Sequence, residues 1–337
     1  MCLREASASV NCRSDRGYRV IHTRQSGLYA EEVAQADLVV TSVIPTNLPA
    51  VAPLLAEGLK LRSAKRPGAV VNVIAAENME HGSSVLRGLV QEALGGASPQ
   101  WLDAVARFPD SMIARVVPIP EDPLLVKAEE FSEWTVDGRV YFGEDPQIKT
   151  LELVPNQEAR LRRKLFIHNT GHATCAYAAL RKGYRYVHQG ARDPKIHAEV
   201  RAAIQESGAA VAAEHGFDSE SIAAYQENLL SRLPGDAFLD GLDRVCRQPI
   251  RKLGPHERFI GPINLCLKHG LDMDHLGRAV AVVLHSDLPG DEEYGRLKTV
   301  LGQGGVEKVL QEICQLAPSH PACSLIIHHY ENLGSAP

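Results

Sequence analysis

The chain has 337 residues, 45% hydrophobic and 23% charged, enough for two globular domains without disulfide staples. A formal charge of -5 and a pI near 6.3 give no general basic field, so neither nucleic acid nor an anionic membrane is an expected partner. Seven cysteines, Cys2, Cys12, Cys175, Cys246, Cys266, Cys314 and Cys323, form no C-x-x-C pair. Together with the absence of any long apolar run and a charged N-terminus, they predict free thiols and a cytoplasmic location. A monomer is expected, although nothing in the sequence sets the oligomeric state.

In chain order, 38–43 (LVVTSV) and 69–76 (AVVNVIAA) read as buried strands of a parallel sheet. The intervening Leu48 to Leu61 reads as a helix, which makes a β-α-β unit. Glu77-Asn78-Met79 follows the second strand, where α/β sheets place ligand-binding residues, so Asn78 is a site candidate. The alternative is an Asx turn or a cap leading into a helix over 82–95. Residues 101–140 are punctuated by proline and read as strands and loops, and 143–157 (GEDPQIKTLELVPNQ) as a linker. From Glu158 the spacing turns helical, over 158–182, 195–215, 219–232, 236–247, 273–285 and 305–316. LGQGGVEKV reads as a loop before the last of these. The fold class predicted is α/β, with a Rossmann-like domain over 1–157 and a mostly α-helical domain over 158–337. His328-His329 is the densest histidine pair, read as strand neighbours on opposite faces with no H-x-x-x-H around them, so no metal is expected.

Residues 162–177, RRKLFIHNTGHATCAY, carry Lys164, Asn169 and His172 within an apolar run. On an α-helix, Asn169 lies about 140° and His172 about 80° from Lys164, so the three share one broad face that could hold a reaction centre. The plain reading makes Lys164 the end of a basic run, Asn169 a cap and His172 a satisfied core histidine. A second cluster, Arg244, Arg247, Arg251, Lys252 and Arg258, is basic within an acidic chain. Its guanidinium forks suit phosphate, and a solvated basic helix end is the equal alternative.

AAENM at 75–79, RKLFIHNTGHA at 163–173, RQPIRKL at 247–253 and, more weakly, FSEW at 131–134 resemble the long-chain polyol dehydrogenase family. The likeness is to its mannitol-1-phosphate 5-dehydrogenase branch in particular, and it runs from about Asp37 to near the end of the chain. K-x-x-x-x-N-x-x-H is that family's catalytic signature. The resemblance implies a zinc-free hydride transfer between a secondary alcohol and a ketone, with NAD as cofactor. It implies Lys164 as general base, Asn169 and Asn78 as donors to the alkoxide, and His172 as an orienting group. It also implies Arg247, Arg251 and Lys252 near the phosphate or distal hydroxyls, and Thr41, Pro45 and Asn78 against the nicotinamide end. Free mannitol and hexuronates such as fructuronate or tagaturonate are the alternative substrates. A non-catalytic remnant that binds a sugar phosphate or a partner is the alternative of another class.

The sequence departs from the family in two places. Residues 1–68 contain only Gly17, Gly27, Gly58 and Gly68, from which no G-x-G-x-x-G turn can be built. A Rossmann-like domain shortened by its glycine-rich first unit is therefore expected, and the link from Arg19 to Ala36 also reads as short. In PDSMIARVVP, Ala114 stands where related enzymes often carry an aspartate that arranges the substrate hydroxyls, and Asp110 and Ser111 are near it without being equivalent.

Overall fold

Leu38–Thr41 and Val71–Ala75 form the parallel strands β1 and β2, with Leu38 opposite Asn72 and Thr41 opposite Ala75. All five residues of β2 are buried, as a central parallel strand requires. The computed structural model describes residues 19–115, 128, 131–236 and 239–334, and the division into two compact units falls between Arg160 and Leu161.

In the first unit a short third strand, β3 (Ala106–Arg107), pairs parallel to the other side of β2. Helices α1 (Ser26–Gln35), α2 (Leu48–Lys65), α3 (Gly82–Ala93) and α4 (Pro99–Val105) surround this sheet. Their core joins Leu48, Leu55, Leu59, Val73, Leu86, Val90 and Leu102. The link that reads as short from sequence thus contains α1, whose Val33 packs so closely on Gly58 of α2 that a Cβ at Gly58 would lie 2.5 Å from it. Arg62, 2% exposed, ties this corner together. Its guanidinium donates to the carbonyls of Ala34 (3.1 Å), Ala36 (2.7 Å), Ala69 (3.0 Å) and Val70 (3.3 Å).

A second sheet has β4 (Ser111–Ala114) antiparallel to β5 (Glu133–Asp137), and β5 parallel to β6 (Leu151–Val154). The linker expected over 143–157 therefore contains a strand. Four residues between turn residues carry too little periodicity to announce one, and β6 exists because β5 supplies its backbone partners. Asn72 joins the two sheets by imitating a backbone pair: its Nδ2 donates to the Phe142 carbonyl and its Oδ1 accepts from the Phe142 amide, each at 2.9 Å.

The second unit is helical. Helix α5 (Gln157–Arg163) leads into a π-helical segment, Lys164–Asn169, and then α6 (Thr170–Arg181), whose Ala173 and Cys175–Ala179 are buried. Around it lie α7 (Val187–Ala191), α8 (Pro194–His215), α9 (Ser219–Arg232), α10 (Leu242–Val245) and α11 (Pro249–Lys252). They are followed by α12 (Ile260–His269), α13 (Asp274–Leu284), α14 (Glu292–Glu312) and α15 (Pro321–Gly334). Aspartates start three of these helices, with Asp193, Asp218 and Asp291 accepting from the amides of Lys195, Ser221 and Glu293 at 2.9, 2.7 and 3.0 Å.

Several expectations need correction here. The helix predicted over 236–247 is only the four residues of α10, cut off by Gln248 in the left-handed region and by Pro249. Sequence spacing missed α12 and α15. The glycine loop at 302–305 is a kink inside α14, where Gly304 and Gly305 leave helical geometry without ending the helix. His328 and His329 lie on α15 rather than a strand, with His329 Nε2 2.9 Å from Asp274. Among the described residues no group of His, Cys, Asp or Glu could hold a metal ion.

Candidate active site

The signature residues sit on a break in the helix rather than on a regular α-helix. A π-helical turn bonds residue i to i+5, so it brings residues five apart nearer to one face than a regular α-helix, which would place them about 140° apart. Lys164 and Asn169 are the first and last residues of the π segment and are five apart. The geometry expected from sequence is corrected in their favour. Asn169 makes no side-chain cap bond to α6, so the capping reading does not describe it. All three signature residues are half-buried.

His172, on the first turn of α6, is fixed by Asp240, whose Oδ2 lies 3.0 Å from His172 Nε2. Asp240 also accepts from Arg244 Nε at 3.0 Å. Burial alone would raise the Asp240 pKa, but the hydrogen bonds and charges of His172 and Arg244 outweigh it and hold the carboxyl below its usual range. An ionised acceptor therefore orients the imidazole. Thr170 Oγ1 donates to the Arg258 carbonyl (2.5 Å) and Tyr177 donates to the Cys246 carbonyl (3.0 Å), which pins α6 to the basic segment. Gly171 permits the close approach of α8 and α9, because a Cβ there would lie 2.8 Å from Ile204 and 2.9 Å from Leu229.

The basic segment does not gather into one cluster. Lys252 is 5% exposed and its ammonium donates to the carbonyls of Val245 (2.6 Å) and Arg247, above the ring of Tyr177. Burial, then the charge of Arg258, lowers its pKa to about 8. Arg251 donates to Gln248 Oε1 and Glu257 Oε1, both at 3.0 Å. Arg247 is exposed and donates through Nε to the Asp243 carbonyl. Arg258, with 13% of its side chain exposed, is paired with Glu257.

In the first unit, Asn78 lies exposed in the bend after β2, and its side chain makes no hydrogen bond among the described residues. It forms neither an Asx turn nor the cap of α3, whose first flanking residue is His81. Buried serines hold the strand end below it: Ser83 Oγ accepts from the Ala75 amide and Ser111 Oγ donates to the Ala75 carbonyl. Thr41, at the same end of β1, has its hydroxyl enclosed and without a partner. The turn that follows is held by Glu77, 9% exposed, whose carboxylate accepts from the amides of Val43 (2.7 Å) and Ile44 (2.9 Å). That grip keeps Ile44 at φ 72, a strained value for a β-branched residue, just before Pro45. Asp110, close in sequence to Ala114, spends its carboxylate on Ser84 at the start of α3.

Sequence reasoning missed Glu77 and Asp240. Glu77 adjoins a strand end and was within reach of the strand-terminus rule. Asp240, in the loop before α10, carries no local signal, since its partner lies on α6.

A parallel sheet carrying Thr41 and the exposed Asn78 at the carboxyl ends of its strands, followed by a helical unit bearing a lysine, an asparagine and an anchored histidine, has the parts of a two-domain dehydrogenase. Family models of the mannitol dehydrogenase Rossmann domain and the mannitol dehydrogenase C-terminal domain match residues 18–150 and 158–313. The chain belongs to the mannitol dehydrogenase family. It is 38% identical over 289 residues to the mannitol-1-phosphate 5-dehydrogenase of Lactiplantibacillus plantarum, covering 85% of this chain and 75% of that one. The mannitol-1-phosphate 5-dehydrogenase of Brevibacillus brevis is 37% identical over 313 residues, covering 90% and 79%. Among solved structures, Pseudomonas fluorescens mannitol 2-dehydrogenase in ternary complex with NAD and D-mannitol aligns with a TM-score of 0.70 at 17% identity, over 93% of this chain and 75% of that one. A substrate-free D-sorbitol dehydrogenase aligns at 0.78 and 15%, over 93% and 76%. These two show the fold.

The residues present fit the nicotinamide end of a dinucleotide. The exposed Asn78 amide has unused hydrogen-bonding capacity at the carboxyl end of the strands, and the Thr41 hydroxyl at the same end is unpartnered but enclosed. None of the four glycines in 1–68 builds a G-x-G-x-x-G turn, and Gly58 serves helix packing, so no turn in 1–68 is assigned to the pyrophosphate.

Proposed function

We propose that this chain is an NAD-dependent oxidoreductase of the mannitol-1-phosphate 5-dehydrogenase type, interconverting a polyol phosphate and a ketose phosphate, with fructose 6-phosphate as the ketose. The observation that carries the reading is the π segment, which begins at Lys164 and ends at Asn169 just before a histidine held by Asp240. Its near relatives of that name support the phosphate over the free sugar. In this reading the first unit binds the dinucleotide, with Thr41, Pro45 and Asn78 at the nicotinamide end, and the helical unit supplies the reaction centre.

NAD, when bound, would supply the hydride acceptor for the alcohol carbon and, as NADH, the hydride donor for the ketone. Lys164 as a neutral amine takes the hydroxyl proton, and as an ammonium it returns that proton to the reduced ketone. Asn169 donates a hydrogen bond to the oxygen as its negative charge grows, and Asn78 is the donor candidate that the first unit offers. His172, held by Asp240, fixes a neighbouring hydroxyl. Arg247 and Arg251 are the phosphate candidates, and Lys252 acts behind them by holding the Val245 and Arg247 carbonyls in place. The described cysteines are free, buried thiols, which supports a reducing compartment and a cytoplasmic location.

The test is NADH oxidation by the purified chain with fructose 6-phosphate, beside fructose and Lys164→Ala. Wild type is expected to prefer the phosphate, and the variant to lose at least about a hundredfold in turnover. A variant within a few fold of wild type would overturn the base assignment, and equal rates on fructose would overturn phosphate recognition.

A further inference from the structure

His168 stands inside the π segment, four residues after Lys164, four before His172 and next to Asn169. Its ring centroid is 6.4 Å from that of His172. Neither ring nitrogen makes a hydrogen bond among the described residues. Nδ1 is enclosed, while Nε2 is not, and the residue as a whole is half-buried. A buried polar atom left unpaired in a folded protein is costly, and a helix interior offers many apolar residues that would avoid that cost. The imidazole lies near basic groups on several elements: Lys164 on its own segment, His172 on α6, Arg232 at the end of α9 and Arg258 ahead of α12. Burial first, then these charges, push its pKa well below the usual histidine range, so the ring is neutral.

A neutral imidazole carries one N–H and one lone pair. With cations nearby and no acceptor at Nδ1, the lone pair belongs on the enclosed Nδ1. The proton then sits on Nε2, the nitrogen that is not enclosed. A donor beside both Lys164 and Asn169, on the segment that carries them, is placed to meet an oxygen one carbon away from the reacting one. A polyol has a hydroxyl at that carbon and a simple secondary alcohol does not.

We propose that His168 is a specificity residue of the reaction centre, donating through Nε2–H to the substrate hydroxyl adjacent to the reacting carbon. The inference rests on the proposed dehydrogenase function and adds a contact selecting vicinal hydroxyls. It is tested with the full chain by comparing His168→Leu and His168→Gln with wild type, reading KM for fructose 6-phosphate, kcat, NADH affinity by fluorescence titration and the thermal midpoint. His168→Leu is expected to raise KM about tenfold, the value of one hydrogen bond, with NADH affinity and midpoint unchanged. His168→Gln, which restores an N–H donor, is expected to recover most of that loss. If His168→Leu matches wild type on the sugar phosphate, the contact does not exist and the ring serves only bound water. If glutamine fails to recover the loss, donation from the ring is not the cause. If wild type turns over neither sugar phosphate nor free sugar, the dehydrogenase reading falls first and the inference falls with it.

Discussion

Lys252 shows what a sequence can and cannot say about a single residue. RQPIRKL marks it as one more cation in a basic run, while the fold places it 5% exposed with its ammonium on two backbone carbonyls. Its pKa is about 8 in the native chain against an ordinary 10.5. Between those values the unfolded chain binds more protons than the native one, so this residue makes stability rise as pH increases from 8 to 10.5. The increment is up to about 3 kcal/mol. Lys252→Met removes it: unfolding free energies measured across that range should show wild type gaining on the variant as pH rises, and parallel curves would mean that the amine is not buried in solution. Lys164 and His172 were legible as chemistry through the K-x-x-x-x-N-x-x-H pattern that carries the family resemblance, since helix geometry alone leaves the plain reading open. Asp240 was not, because a carboxylate that reaches its partner on α6 from the loop before α10 leaves no trace in local spacing.

At the scale of elements, the π segment and its glycine matter most. Gly171 follows the π segment by one residue, at the point where α6 approaches Ile204 of α8 and Leu229 of α9. Gly171→Ala forces those side chains to move and should cost about 1–3 kcal/mol in chemical denaturation. A neutral result would show that the helices separate without strain. The sequence gives most of α2, β2, α8, α9 and α13 because each pairs a strong apolar period or run with a cap or a breaker. It loses β6, α12 and α15. The four residues of β6 depend on a strand partner, and α12 carries Gly261 and Pro262 within its first turn, where they look like loop signals.

For the whole molecule, the two units have separate cores, and the only two tryptophans, Trp101 and Trp134, both lie in the first. Tryptophan fluorescence therefore follows the first unit, while far-ultraviolet circular dichroism is dominated by the helical one. Arg62→Ala leaves up to four carbonyls without their donor and should destabilise the first unit by about 3 kcal/mol. In urea, the fluorescence midpoint should fall while most of the circular dichroism change stays where it was. If both midpoints move together, the units unfold as one.

The sequence by itself determined the family, the β-α-β start of the first unit, the helical character of the second and the identity of Lys164, Asn169, His172 and Asn78 as the residues to watch. These are properties of residue type and local spacing, which a chain carries whether folded or not. Only the tertiary structure decided that the signature sits on a π turn, that Asp240 holds His172, that Glu77 grips the turn after β1 and that Lys252 is buried. Each of these depends on a helix shape or on a partner brought close by folding, and neither is encoded in the distance along the chain.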